Sequence, residues 1–201
     1  MGRLLLPPAR IERWVENFIA GHGETDLAVV DGALTGRALD GSVFAARLPF
    51  SMAYDGPATP SGVAAGVRTP PRWGVLLVRK GGFAVARLEG TRIVESKVGQ
   101  RHVQGRTKAG GQSQQRFARR RENQARQAYE AAAEHAARIL TGLGPVATGG
   151  DRSAVDEVMS DPRLRTLEVV GEWQPVPDPR RAVLDEAIRA AQSLVVTVEN
   201  A

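Results

Sequence analysis

The sequence predicts an α/β (α+β) protein, a mixed sheet with helices on its faces. Three observations carry this expectation. Three short strand-like runs are punctuated by glycine turns, one helical pattern extends from Ser113 to Leu140, and the remainder alternates helix with strand.

In chain order, Ala9 to Ala20 predicts a helix, because Ile11, Trp14, Val15, Phe18 and Ile19 recur at helical spacing and Gly21 and Gly23 follow. Asp26–Val30 and Ser42–Leu48 read as strands separated by Gly-rich turns. Residues 50–72 hold Pro57, Pro60, Pro70 and Pro71 with little apolar periodicity, which predicts a linker or long loop. Gly74–Arg79, Phe83–Leu88 and Thr91–Val98 form an expected antiparallel meander. Next comes a polar stretch from Gly99 to Gly111, and then the long helix. Its stripe of Ala118, Ala125, Tyr129, Ala132 and Ala136 should face a core, while its arginine-rich first half should project. Asp151 is an expected N-cap for a helix ending near Ser160, Thr166–Val170 a strand, and Asp178-Pro179 the start of a helix to about Val195. The expected domains are a small N-terminal α/β region (1–49), the linker (50–72) and a larger domain (73–201).

Composition removes several classes of function. The chain contains no cysteine, which excludes disulfides, thiolate catalysis and Cys-based zinc sites and makes a cytoplasmic location the expectation. No apolar run approaches the roughly 18 residues of a membrane span, so no membrane partner is expected. The net charge of +5 is unevenly placed. Between Lys97 and Arg126 nine basic residues face Glu122 alone, so this segment carries +8 and the rest of the chain −3. An excess packed so tightly points to a polyanionic partner at that segment.

Familiar catalytic signatures are missing: there is no G-x-S-x-G elbow, P-loop, dinucleotide fingerprint or H-E-x-x-H. His22, His102 and His135 are scattered without carboxylates at ligand spacing, so neither a metal nor an organic cofactor is expected. The doublets Gly81-Gly82 and Gly149-Gly150 read as turn glycines. What remains is Lys108-Ala109-Gly110-Gly111-Gln112-Ser113, set between a basic loop and a basic helix. Two residues without Cβ atoms let the backbone approach a crowded ligand. Gln112 then falls at a helix start, where amide N–H groups lack intrahelical partners and the dipole end is positive. Such a tip suits a developing oxyanion, and an uncharged amide can position water without titrating. Taken alone, the tripeptide favours the plainer reading, in which Gly110-Gly111 is a flexible loop and Gln112-Ser113 a helix cap.

Its surroundings decide between these. The run GGQSQQRFARRRENQAR from Gly110 resembles the middle domain of the eukaryotic and archaeal class-one peptide-chain release factors, including Arg116-Phe117-Ala118-Arg119 at the head of a long helix. The likeness extends to the meander from Trp73 and to LGPVATGGDRSAVDEVM from Leu143, and so covers about residues 73–201. It implies a release-factor middle-domain-like (RNase H-like) fold with the Gly-Gly-Gln loop at the head of a projecting helix. By the same resemblance, Gly110, Gly111 and Gln112 are the catalytic residues. Arg106, Lys108, Ser113, Arg116, Arg119 and Arg120 would then face ribosomal RNA or the tRNA acceptor end.

Only about 70 residues precede this region, no decoding motif is visible in them, and no room follows for a GTPase-recruiting domain. The sequence therefore looks more like the VLRF-type peptidyl-tRNA hydrolases, which release nascent chains from stalled large subunits during ribosome quality control. The eukaryotic members place an extra residue between the glycine pair and the glutamine; here the pair abuts Gln112. The implied partners are the large ribosomal subunit, with its 23S-type rRNA and peptidyl-transferase centre, and peptidyl-tRNA. Two other readings remain open: a non-catalytic factor that inserts its loop to block that centre, and a tRNA endonuclease. The endonuclease would need an acidic metal cluster, whereas the predicted strands carry only Asp26, Glu95 and Glu168, widely spaced.

Overall fold

Alternation sets the first sheet: along Thr25–Val30 every second side chain turns inward, as the two-residue period of a strand requires. A computed structural model of the protein describes residues 2–100 and 112–201, with only the backbone of 112–125. In chain order the elements are β1 (Gly2–Leu6), α1 (Ile11–His22), β2 (Thr25–Val30), β3 (Ala33–Ala38), β4 (Val43–Arg47), α2 (Pro60–Gly66), β5 (Arg72–Arg79) and β6 (Gly82–Glu89). They continue with β7 (Arg92–Gln100), α3 (Gln112–Leu140), β8 (Pro145–Gly150), α4 (Arg152–Met159), β9 (Glu168–Val169), α5 (Arg181–Ala191) and β10 (Leu194–Glu199). No helix among the described residues is long and apolar enough to cross a membrane.

The chain divides into two units, 1–69 with 189–201, and 70–188. The first is an antiparallel sheet of order β1-β10-β4-β3-β2. Its core joins Ile11, Val15 and Phe18 of α1 to Leu34, Phe44, Ala46, Leu194 and Val196. Phe44 is its centre, meeting Trp14 and Phe18 edge-on at centroid distances of 5.1 and 5.0 Å. Gly36 lies opposite it in β3, and a Cβ there would sit 2.1 Å from the Phe44 ring.

The segment expected to be a linker, 50–72, is instead partly built into this core. Tyr54 is buried and donates its hydroxyl to the carbonyl of Pro57 at 2.7 Å. Gly56, Gly62 and Gly66 close around its ring, each too near for a Cβ. Thr59 caps α2 by accepting from the Gly62 amide at 3.1 Å. Here glycine serves close packing, a use that composition does not distinguish from flexibility.

The second unit holds the mixed sheet, of order β7-β6-β5-β8-β9. β5, β6 and β7 are the expected meander, and β8 and β9 add parallel strands. Leu76, Val78, Phe83 and Val85 on one face pack against Ala132, Ala136, Ile139 and Leu140 of α3 and Ala154, Val155 and Val158 of α4. The alternate residues Trp73, Val75, Leu77, Ala84, Ala86 and Leu88 are fully buried as well. Both faces of the inner strands β5 and β6 are therefore dry, while the edge strands β7 and β9 are not buried.

Other expectations need correction. The final helix ends at Ala191 rather than near Val195, closed by a turn in which Ser193 donates its hydroxyl to the Arg189 carbonyl at 3.0 Å. The β-branched run that follows becomes β10 and pairs with β1 and β4, so residues 189–201 lie with the first unit rather than in a 73–201 domain. Gly149 and Gly150 are strand residues, not turn residues. A Cβ on Gly149 would lie 2.3 Å from the Gln174 carbonyl oxygen, and Gly150 adopts φ 106° against β5.

Candidate functional site

α3 forms because its residues are strong helix formers, glutamine and arginine early and alanine late, with no glycine or proline in its 29 residues. At 1.5 Å per residue it is about 43 Å long. It begins at Gln112, so the sequence-predicted catalytic glutamine occupies its first position. The opening amide N–H groups of any α-helix have no partner within the helix, and here that set starts at Gln112. Of the other predicted site residues, Ser113, Arg116, Arg119 and Arg120 lie in the first three turns of α3, where only the backbone is described. Positions 112, 116, 119 and 120 follow the 3.6-residue repeat, which sets their Cα atoms along one side of the helix. Arg106, Lys108, Gly110 and Gly111 lie outside the described residues, in the segment between the end of β7 at Gln100 and the start of α3.

The other end of α3 is anchored in the core of the second unit. Ala128, Ala132, Ala136 and Ala137 are buried, and Ile139 and Leu140 are fully enclosed. His135 stacks on Phe83 of β6 at a centroid distance of 5.4 Å. Tyr129 is half-buried, and burial pushes its phenol pKa up, assisted by the charges of Asp151 and Glu157. Two ion pairs tie the helix to other elements: Arg138 to Glu95 on β7, and Glu134 to Arg163 at 2.8 Å in the turn after α4. Asp161 holds the Arg163 guanidinium with contacts of 2.8 and 3.0 Å, and those hydrogen bonds keep its carboxyl down at about 2. The sequence did not single out Glu134, Arg138, Asp161 or Arg163, and it gave Glu95 only as a scattered strand acid. Glu134 and Arg138 stand four apart, the spacing of a pair within one helix, but each pairs outward instead.

Elsewhere, Arg79 at the end of β5 donates to the Val176 carbonyl at 2.8 Å and lies 3.7 Å from Asp178 and 3.8 Å from Asp151. Among the described residues no group of three histidines or carboxylates could hold a metal ion. Asp26, Glu95 and Glu168 stand on β2, β7 and β9 respectively. In the first unit, a groove of about 450 Å³ lies on the outer face of the sheet, floored by Ala28, Thr35, Ala45 and Thr197 and flanked by Asp26 and Arg37. It contains none of the predicted site residues.

Among solved structures the chain is similar to the Vms1 mitochondrial localization core, with 10% identity and a TM-score of 0.43 over 90% of this chain and 79% of that one. It is also similar to the archaeal translation termination factor aRF1, with 16% identity and a TM-score of 0.39 over 94% of this chain and 63% of that one. No curated protein sequence matches it. The family described as the Actinobacteria/Chloroflexi VLRF1 release factor matches residues 71–197, which include the whole of α3 and the meander before it. On that match the chain belongs to the Actinobacteria/Chloroflexi VLRF1 release-factor family.

Proposed function

We propose that the protein hydrolyses the ester of peptidyl-tRNA on stalled large ribosomal subunits, without reading a codon, and so frees the nascent chain. The observation that carries this is the coincidence of Gly110-Gly111-Gln112 with the start of α3 inside a segment matched by a release-factor family. The concentration of positive charge between Lys97 and Arg126 supports an RNA-lined destination for that tip.

In the proposed reaction a water oxygen bonds to the carbonyl carbon joining the nascent chain to the terminal ribose. The tetrahedral intermediate collapses with cleavage of the carbon–ribose oxygen bond, and the ribose hydroxyl keeps a proton from the water. Gly110 and Gly111 admit the backbone to the crowded site. Gln112 orders the water and, through its backbone N–H at the helix start, stabilises the oxyanion. Arg106, Lys108, Ser113, Arg116, Arg119 and Arg120 contact phosphates of ribosomal RNA or tRNA. No step requires a metal or organic cofactor, and the site of action is the cytoplasm.

The test uses purified large subunits bearing a labelled nascent chain still esterified to tRNA. Wild-type protein should yield free peptide and intact tRNA. Gln112→Ala should slow release about 10²–10³-fold, the scale of losing one oxyanion donor, with binding nearly unchanged. Binding without release by the wild type would identify a blocking factor, and shortened tRNA still joined to peptide would identify a nuclease.

A further inference from the structure

We propose that Glu134 and Arg163 form a positioning pair that sets the direction of α3 and thereby the place of Gln112 in the active centre. This rests on the function proposed above. The helix is a lever. From Gln112 to Glu134 is 22 residues, or about 33 Å at the helical rise, so a tilt of about 2° at the anchor moves the tip by about 1 Å. Catalysis that depends on a near-attack geometry loses about 10²-fold for a displacement of that size.

The packing under α3 leaves that direction weakly determined. Along the described half, the buried side chains ahead of the last turn are Ala128, Ala132, Ala136 and Ala137, joined by half-buried Tyr129 and by His135 stacked on Phe83, and the large fully buried ones, Ile139 and Leu140, come at the very end. Alanines let the helix approach β6 closely but present no deep ridges to lock its angle. Ile139 and Leu140 therefore act as a pivot, and polar ties ahead of the pivot decide where the lever points. Arg163 is built for this. Asp161 engages its Nε and Nη2 at 3.0 and 2.8 Å, which leaves Nη1 already aimed at Glu134, 2.8 Å away. A guanidinium oriented beforehand loses little freedom on making the last contact. Glu134 could instead pair with Arg138, one turn on, but Arg138 is engaged by Glu95.

The experiment is a charge-swap cycle in an Asp161→Asn background, which removes the carboxylate that would repel a new acid at 163 and, by freeing the guanidinium, should itself slow release relative to wild type. Glu134→Arg and Arg163→Glu should each slow release about tenfold or more at saturating protein, with large-subunit affinity and thermal stability nearly unchanged. Combining them should restore most of the background rate. A second readout is independent of catalysis. Since the chain has no cysteine, Gln115→Cys and Glu168→Cys supply the only label sites for a spin–spin distance measurement. Each single reversal should shift or broaden the distance distribution, and the swap should narrow it again. Distances unchanged in the single reversals, or a swap no better than the worse single, would overturn the pair's role even where release is normal. Absence of release by the wild type would overturn the proposed function, while the distances still decide this inference.

Discussion

The two sheets have five strands each but differ in what covers them and in the charge around them. The first has helices and core on one face and a shallow groove on the other, and its unit carries seven basic and eight acidic residues. The second is buried on both faces at its inner strands β5 and β6, and its unit carries 20 basic and 14 acidic residues. The segment between Lys97 and Arg126, at the head of α3 and before it, carries +8, more than the whole of that excess, so the rest of the unit is slightly acidic. A sheet covered on both faces at its inner strands is an appropriate base for a helix that, on the proposed function, holds a reactive tip far from its own core. A sheet with one open face and no net positive charge has no comparable claim on a nucleic acid.

The sharpest way to break this contrast is the same substitution in both sheets. Ala86→Lys puts a charge into a fully buried strand position and should cost on the order of 3–5 kcal/mol, enough to unfold the second unit. Ala28→Lys, on the exposed face of β2, should change stability by no more than about 0.5 kcal/mol. Denaturant titration of both variants compares them directly, and equal losses would mean that the two sheets are equally covered.

A second test concerns charge. Arg119→Gln and Arg120→Gln should weaken binding to large subunits and lower the salt slope by about one for each lost phosphate contact. Arg37→Gln and Arg47→Gln in the first unit, both exposed, should leave that slope unaltered. Filter binding at several salt concentrations reads both outcomes, and equal slopes throughout would remove α3 from the RNA interface.

The smallest expected effect is on pH dependence. Each unit has an aspartate held below the ordinary carboxylate range: Asp161 at about 2 by hydrogen bonds from Arg163, and Asp40 lowered first by the Ser42 amide and then by His22. Between pH 4 and pH 2 the unfolded chain takes up a proton that the folded Asp161 does not. Its contribution is therefore complete above about pH 4 and fades as pH falls through about 2. Asp161→Asn should flatten acid unfolding in that window, with its loss of stability present at pH 7 and vanishing toward pH 2; an unaltered acid limb would show that the pair does not persist in solution.

Local pattern was enough for α1, the meander and α3, since each is regular within its own window of sequence: a helical stripe, or runs separated by tight turns. The candidate site was proposed from adjacency alone: Gly110, Gly111 and Gln112 are consecutive in the chain, and the structure adds that Gln112 starts α3, while Gly110 and Gly111 lie outside the described residues. The anchoring contacts were not legible, because Glu95, Glu134, Phe83 and Arg163 come from four different elements.

By itself, then, the sequence determined the long helix, the charge at its head, the absence of thiol chemistry and the tripeptide that the proposed chemistry uses. Tertiary structure alone decided that GRLLL is a strand, since its partner β10 lies near the other end of the chain. It decided that Gly36 lies under an aromatic ring rather than in a turn, and that the final helix stops at Ala191 so that Val195 joins the first sheet instead. The physical reason is common to all three. A helix closes its hydrogen bonds within four residues, whereas a strand or a close-packed glycine is defined by a partner whose distance along the chain is unrestricted.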